Sequence, residues 1–202
     1  MTELPYLDLF DLVVAENGAL LYHPVLGKAR RLAAPPPREF LRELRRRGVE
    51  PIEAGRVVVS TRRSWEPAVS GAMADLGMDW QAVFNREEMM ALPRGVDKAS
   101  GVAAALAELG LSREDAVGVG DAENDVALLR GCGLGVAVAS AVPELRDLAD
   151  VVTKTGAGAG VVELIRLMLA SRLPAPRRYH GVGGGGRQDA DGQGGKDWIG
   201  VR

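Results

Sequence analysis

Short apolar runs alternate along this chain with longer segments in which apolar residues recur three and four positions apart. The short runs predict strands, and the longer segments predict helices. Strands are predicted at 10–15, 19–22, 56–61, 80–84, 88–92, 116–120, 133–138 and 151–152. The strands 80–84 and 88–92 are predicted to form a hairpin. Helices are predicted at 35–47, 64–76, 98–109, 142–149 and 161–169, with a further helix after Asp121. The glycine-rich segment 153–160 is predicted to be a loop. We interpret the first run as a buried parallel strand.

The order of these elements predicts an α/β fold with two kinds of layer. Between residues 19 and 92 the order is strand, helix, strand, helix, strand, strand, which is typical of a small α+β unit. After residue 93 helices and strands alternate along the chain. From residue 171 glycine, arginine and proline dominate. We predict a disordered tail at 171–202, because this segment buries too little apolar surface to offset its ordering entropy.

Composition narrows the classes of partner. The 202 residues carry a formal net charge of −2, which gives no electrostatic case for nucleic acid or an anionic membrane as partner. No apolar run approaches the ~20 residues of a membrane span. The single cysteine, Cys132, excludes an internal disulfide and fits a reducing compartment. We therefore predict a cytoplasmic protein without nucleic-acid or membrane partners.

The strongest chemical signal is the turn that follows the predicted strand 116–120. Asp121 comes directly after the strand, where open α/β sheets bind their ligands. Asp125 is four residues further on, so both carboxylates can converge on one point, with the amide of Asn124 nearby. Oxygen ligands of this kind suit Mg²⁺. The alternative is a helix-capping aspartate followed by a solvated one.

Two polar positions outside this turn are further candidates. Lys98 begins a predicted helix, where the partial positive charge of the helix N-terminus disfavours a lysine. An ammonium at that place suits a bound phosphate, and the alternative is an exposed lysine on a capped helix. Asn17 and Gly18 form a turn between two predicted strands, and both residue types tolerate positive φ there.

Three segments together resemble the haloacid dehalogenase (HAD) superfamily of hydrolases, in its Cof-type, sugar-phosphatase-like branch. The turn 120–125 resembles that branch's GDxxND motif, and 95–101 resembles its lysine motif. The segment 11–19 contains Glu-Asn-Gly-Ala, which resembles the start of that branch's cap domain. The order and spacing of the three segments agree over about residues 8–170.

The resemblance implies a Rossmann-like parallel sheet, the HAD core, with a small α+β cap domain. Residues 1–18 and 93–170 would form the core, incomplete at its N-terminus, and residues 19–92 the cap. The implied function is Mg²⁺-dependent hydrolysis of a phosphomonoester of a small metabolite, such as a sugar phosphate or a phosphoglycolate-like acid. In that reaction an aspartate attacks phosphorus and water then releases the aspartyl-phosphate.

The resemblance also assigns roles to the candidate residues. Lys98 would hold the phosphate and the attacking aspartate, and is one of two catalytic candidates. Asp121, the other, would bind Mg²⁺ together with Asp125. Asn124 would order the turn on the phosphate side, and Asn17 would face the phosphate.

The sequence departs from the family at its first two motifs. No DxDxT occurs, since Asp8 and Asp11 have the wrong spacing, and the Ser or Thr motif is also absent. We therefore expect a truncated chain that is weakly active or inactive. Loss of the central strand would expose an apolar sheet edge near Val117 and Val119 and favour self-association.

Two other functions remain as alternatives at this point. One is a non-catalytic module that keeps the metal and phosphate half-site for binding or scaffolding. The other is the phosphorylation domain of a P-type ATPase, whose GDGxND motif is similar. The absence of membrane-spanning runs and of DKTGT argues against the ATPase.

Overall fold

The computed structural model describes residues 6–173, so the predicted tail lies outside the described residues from residue 174 onward. The strands of this part are β1 (Val13–Ala15), β2 (Leu20–His23), β3 (Lys28–Arg31), β4 (Glu53–Ala54), β5 (Val59–Arg62), β6 (Trp80–Asn85), β7 (Glu88–Pro93), β8 (Val117–Gly120), β9 (Leu134–Ala137) and β10 (Val151–Val152). The helices are α1 (Arg38–Arg46), α2 (Glu66–Asp75), α3 (Lys98–Leu109), α4 (Val126–Gly131), α5 (Pro143–Leu148) and α6 (Ala157–Leu169).

The first sheet is antiparallel, in the order β1-β2-β3. The prediction of a buried parallel strand at 10–15 is therefore wrong, because Val14 pairs antiparallel with Leu21 and β1 is only half-buried. The turn at 16–18 explains this result, since so short a connection joins antiparallel neighbours only. β3 has a mostly charged sequence without a strand pattern, and it is held by backbone pairing with β2.

The second sheet is also antiparallel, in the order β4-β5-β7-β6. β6 and β7 form the predicted hairpin, with Trp80 opposite Pro93 and Asn85 opposite Glu88. Helices α1 and α2 pack on this sheet around one hydrophobic cluster, which contains Phe40, Leu44, Val49, Val59, Val69, Ala72, Met73, Met89 and Ala91. This is the predicted α+β unit. Its domain bounds stay a prediction, because β1 and β2 pair across the boundary proposed between residues 18 and 19.

The third sheet is parallel, in the order β10-β9-β8, which confirms the α/β fold class. Successive residues of β9 face opposite sides. Gly135 lies against Leu129 of α4, whereas Val136 packs with Leu164 of α6. Helices therefore cover both faces of this sheet. Within residues 6–173, the outer edge of β8 has no neighbouring strand.

Helix α6 begins earlier than the sequence pattern predicts. It starts at Ala157, so half of the glycine-rich segment read as a loop is helical. The low helix propensity of glycine is overridden here by tertiary contacts. A Cβ on Gly160 would lie 2.6 Å from the Thr155 carbonyl oxygen, so glycine is needed for the close return of the chain. No helix between residues 6 and 173 combines the length and the apolarity that crossing a membrane requires.

Helices α1 and α2 are joined by an ionic network on the surface. Glu43 accepts hydrogen bonds from Arg46 and Arg47, and Arg47 also reaches Asp75 of α2. The two arginines lower the pKa of Glu43 to about 2. The folded protein therefore binds a proton at Glu43 less readily than the unfolded chain does.

We predict that Glu43→Gln destabilises the protein in a pH-dependent way. A lowered pKa contributes stability that is complete above the unfolded value of about 4.3 and is lost as the pH falls towards 2. Urea unfolding from pH 7 to pH 2.5 should show the gap between wild type and variant shrinking below about pH 4.5. Glu39→Gln on the exposed side of α1 is the control, and a gap independent of pH would contradict the prediction.

Candidate functional site

The predicted residues Lys98 and Asp125 meet at the carboxyl end of β8. The Nζ of Lys98 donates to Oδ1 of Asp125 at 2.5 Å. The other oxygen, Oδ2, accepts from the backbone N–H groups of Asp121 at 2.9 Å and Ala122 at 3.1 Å. A Cβ on Gly120 would lie 2.4 Å from the Cβ of Asp125, so only glycine lets the strand end this close to the carboxylate.

The buried position of Asp125 gives this pair its importance. Asp125 is 3% exposed, whereas the side chain of Lys98 keeps about a third of its surface in contact with solvent. A buried carboxylate needs a cation or several donors, and Asp125 has both. The lysine in the first turn of α3 is thus explained by a buried partner, and its exposed side faces outward, where an anion can approach.

The start of α3 is fixed by a capping box. Asp97 accepts from the backbone N–H of Ser100 at 2.7 Å, and the Ser100 hydroxyl accepts from the backbone N–H of Asp97 at 3.0 Å. The turn 16–18 packs directly against this helix start. A Cβ on Gly18, where φ is +101°, would lie 1.8 Å from the Asp97 carbonyl oxygen. This contact sets the distance between the turn and Lys98.

The predicted residues Asn17 and Asn124 also meet, although they are 107 residues apart. Nδ2 of Asn124 donates to Oδ1 of Asn17 at 3.1 Å, and both side chains are buried. The remaining atoms, Nδ2 of Asn17 and Oδ1 of Asn124, have no hydrogen-bond partner among the described residues. Buried polar atoms in folded proteins are nearly always partnered. One donor and one acceptor therefore remain for a water molecule or a ligand.

Asp121 does not share a partner with Asp125. Its Oδ2 accepts from Nη2 of Arg86 at 2.8 Å, and about half of the Asp121 side chain is exposed. Arg86 lies in the turn between β6 and β7, so the hairpin tip of the α+β unit contacts the end of the parallel sheet. The role of the two aspartates as a joint metal site stays a prediction.

A second acid of the same turn strengthens this contact. Glu123 accepts from the backbone N–H of Arg86 at 3.1 Å and lies 3.5 Å from Nη1 of Arg63. Hydrogen bonds from its own backbone N–H and from that of Arg86, together with the charge of Arg63, lower the pKa of Glu123. Arg63 in turn stacks on Phe84 and donates to the Arg86 carbonyl.

Glu16 makes an equivalent contact at the opposite end of the α+β unit. Its carboxylate accepts from the backbone N–H groups of Arg56, Val57 and Val58, at 2.8–3.0 Å. A Cβ on Gly55 would lie 2.8 Å from this carboxylate, so glycine permits the approach. Glu16 thereby ties the turn that carries Asn17 to the segment leading into β5.

Sequence reasoning missed Glu16, Arg63, Arg86 and Glu123. Each acts across a long sequence separation, and each has the charged type that usually lies on a solvated surface. The one local signal is the predicted hairpin, whose two-residue turn at Arg86 and Glu87 marks a tip able to reach another layer.

The donor set for a divalent ion is partial. No group of three or more His, Cys, Asp or Glu side chains suited to a metal occurs within residues 6–173. Mg²⁺ is nevertheless commonly held by one or two carboxylates, with water and substrate phosphate completing its shell. The exposed carboxylate of Asp121 fits this kind of site, and a cavity of about 320 Å³ opens beside it. Asp125 is already engaged by Lys98 and two backbone donors.

Parts of this chain match known proteins and one protein family. Residues 75–165 match the family of haloacid dehalogenase-like hydrolases. The chain is 43% identical over 89 residues to phosphoglycolate phosphatase 2 of Saccharolobus solfataricus, an alignment covering 44% of this chain and 38% of that protein. It is 27% identical over 181 residues to a phosphoglycolate phosphatase of Metallosphaera sedula, covering 82% and 75%.

A solved structure shows the same fold. The haloacid dehalogenase-like hydrolase from Bacteroides thetaiotaomicron superposes with a TM-score of 0.66 at 16% identity, covering 78% of this chain and 76% of that one. The resemblance stated from the sequence motifs is thus confirmed. The chain nevertheless matches less than two fifths of the length of the Saccharolobus protein.

We predict that Lys98→Met destabilises the fold, because it leaves the buried carboxylate of Asp125 without its cation. The expected loss is about 1–3 kcal/mol in the free energy of unfolding, measured by urea titration. Lys28→Met on the exposed surface of β3 is the matched control and should change stability by less than about 0.5 kcal/mol. Equal effects of the two substitutions would show that the pair with Asp125 contributes nothing.

Proposed function

We propose that this chain, a member of the haloacid dehalogenase-like hydrolase family through residues 75–165, carries the phosphate and Mg²⁺ site of a phosphatase for small phosphorylated metabolites. The contact between Lys98 and Asp125 is the observation that supports this most strongly. It holds an ammonium group at the carboxyl end of a parallel sheet and at the N-terminus of a helix, where anions are stabilised.

The phosphate would lie against donors that the structure leaves available. The exposed side of Lys98 supplies positive charge, and Nδ2 of Asn17 is a buried donor without a partner in the described residues. Asn124 positions Asn17 through their hydrogen bond. Lys98 thus acts on the phosphate directly, and Asn124 acts through its neighbour.

The metal would be held by Asp121, with Asp125 bound directly or through water. When bound, Mg²⁺ would polarise the phosphoryl oxygens and offset their charge. Asp125 has a second task in this chain, since its hydrogen bonds to the backbone of Asp121 and Ala122 fix the turn from which Asp121 projects.

Turnover by this chain is proposed to be weak or absent. The reaction of the family needs a carboxylate that attacks phosphorus, and the sequence has no DxDxT motif to supply it. The two aspartates of the site are engaged, Asp121 by Arg86 and Asp125 by Lys98 and backbone donors. Neither is placed as a nucleophile, so the described residues supply the metal and phosphate half of a phosphatase site.

The proposed substrate is a phosphoglycolate-like acid or a small sugar phosphate. The relatives named phosphoglycolate phosphatase support the first. A cytoplasmic location is proposed from the single cysteine. Self-association through the outer edge of β8 also remains a proposal, supported by its lack of a neighbour within residues 6–173.

We predict that phosphoglycolate binds in the presence of Mg²⁺ and is not hydrolysed at a measurable rate. Calorimetry should detect the binding, and a phosphate-release assay should stay at background. Asp121→Asn should lower the affinity for Mg²⁺ at least tenfold, because the metal loses one negatively charged ligand. Asp79→Asn, an exposed acid of the α+β unit, is the control and should bind as wild type.

Two outcomes would contradict this proposal. Phosphoglycolate binding that is equally strong with and without Mg²⁺ would show that the metal takes no part in the site. Phosphate release that disappears in the Asp121→Asn variant would show that the chain turns substrate over and that a nucleophile is present.

A further inference from the structure

We infer that Arg86 and a divalent cation compete for the carboxylate of Asp121, so that the hairpin tip sets the metal affinity of the site. This inference rests on the proposed function, because it concerns the same metal position. It assigns to Arg86, a residue of the α+β unit, control over the metal affinity of a site at the end of the parallel sheet.

Arg86 and Asp121 are in direct contact. Nη2 of Arg86 lies 2.8 Å from Oδ2 of Asp121, which is the distance of a charge-assisted hydrogen bond. Asp121 is about half exposed and has no backbone donor within residues 6–173, whereas Asp125 is buried and accepts hydrogen bonds from two backbone N–H groups. The carboxylate that a cation would approach is therefore the one that already carries a cationic partner.

The hairpin tip that carries this guanidinium is held in place by other contacts. Arg86 has a φ of +56°, and its backbone N–H donates to Glu123. Its carbonyl oxygen accepts from Nη1 of Arg63 at 3.0 Å, and Arg63 is itself stacked on Phe84 at 4.4 Å. The backbone of the tip is thus held without help from the Arg86 side chain. The guanidinium can leave Asp121 while the tip stays docked.

A metal ion on Asp121 and the guanidinium of Arg86 would repel each other. A divalent ion on either oxygen of the Asp121 carboxylate would repel the guanidinium held on Oδ2 and weaken its hydrogen bond. Occupation of Asp121 by one cation therefore disfavours the other. By linkage, each weakens the binding of the other by the same factor. An exposed ion pair of this kind has a modest strength, which makes it displaceable rather than a permanent block.

The test is a calorimetric titration of the full chain with Mg²⁺ alone. Arg86→Gln should bind Mg²⁺ about two- to fivefold more tightly than wild type, the factor that corresponds to the usual strength of an exposed ion pair. Arg62→Gln is the matched control. It removes the same charge from the end of β5, opposite Glu88 beside the tip, at an exposed residue outside the contacts that hold the tip. Arg94→Gln, whose partner is the distant Asp79, controls for the loss of any surface arginine.

A second measurement observes the contact directly. In wild type, the side-chain Nε–H resonance of Arg86, assigned by its disappearance in Arg86→Gln, should shift during Mg²⁺ addition. In Asp121→Asn the same resonance should not respond.

The outcomes separate the inference from the proposed function. Tighter Mg²⁺ binding in Arg86→Gln alone supports competition. Equal tightening in Arg62→Gln would reduce the effect to net charge and overturn the inference while leaving the metal site intact. Unchanged affinity in Arg86→Gln would overturn it in the same way. Absence of Mg²⁺ binding in every variant would overturn the proposed metal site and the inference together.

Discussion

The site depends on the hydrogen bonds that the buried carboxylate of Asp125 accepts. This carboxylate accepts hydrogen bonds from one lysine and two backbone N–H groups. Through them it fixes the start of α3, the end of β8 and the turn between β8 and α4. A charge in this position is tolerated only because all of these donors are present at once. The arrangement of Lys98 and Asp121 therefore follows from satisfying one buried group.

Two other acids hold the α+β unit against this centre. Glu16 binds three consecutive backbone N–H groups before β5, and Glu123 binds the backbone of the β6–β7 tip. Both anchors use backbone donors, so they hold the path of the chain without depending on the side chains of the unit. The side chains of Arg63 and Arg86 then meet the acids of the turn at 121–123.

The sequence predicted those parts whose signal is local. The helix at 98–109 matches α3, because Asp97 caps its start and Gly110 adopts the left-handed conformation at its end. The hairpin of β6 and β7 and the parallel strands β8 and β9 were likewise predicted from apolar runs. The buried pair of Asn17 and Asn124 was predicted only as separate residues, since nothing local indicates a contact across 107 positions.

The wrong prediction for the strand at 10–15 is explained by its tertiary surroundings. The strand at 10–15 has the apolar sequence of a buried parallel strand, but the short turn after it permits only an antiparallel partner. The joint metal site expected of Asp121 and Asp125 stays a prediction. The structure has a tighter 3-10 turn at 123–125, in which Asp125 folds back onto the preceding backbone and Asp121 projects to Arg86.

The glycine-to-glycine packing at Gly18 and Gly101 has a consequence for how such a protein can diverge. A Cβ at either position would overlap backbone atoms of the other segment, at 1.8 Å and 2.5 Å. The spacing between Asn17 and Lys98 is therefore set by bare main chain and does not adapt to larger side chains. Substitutions at exposed positions of the hairpin can change the surface of its tip, while the spacing between Asn17 and Lys98 stays constant.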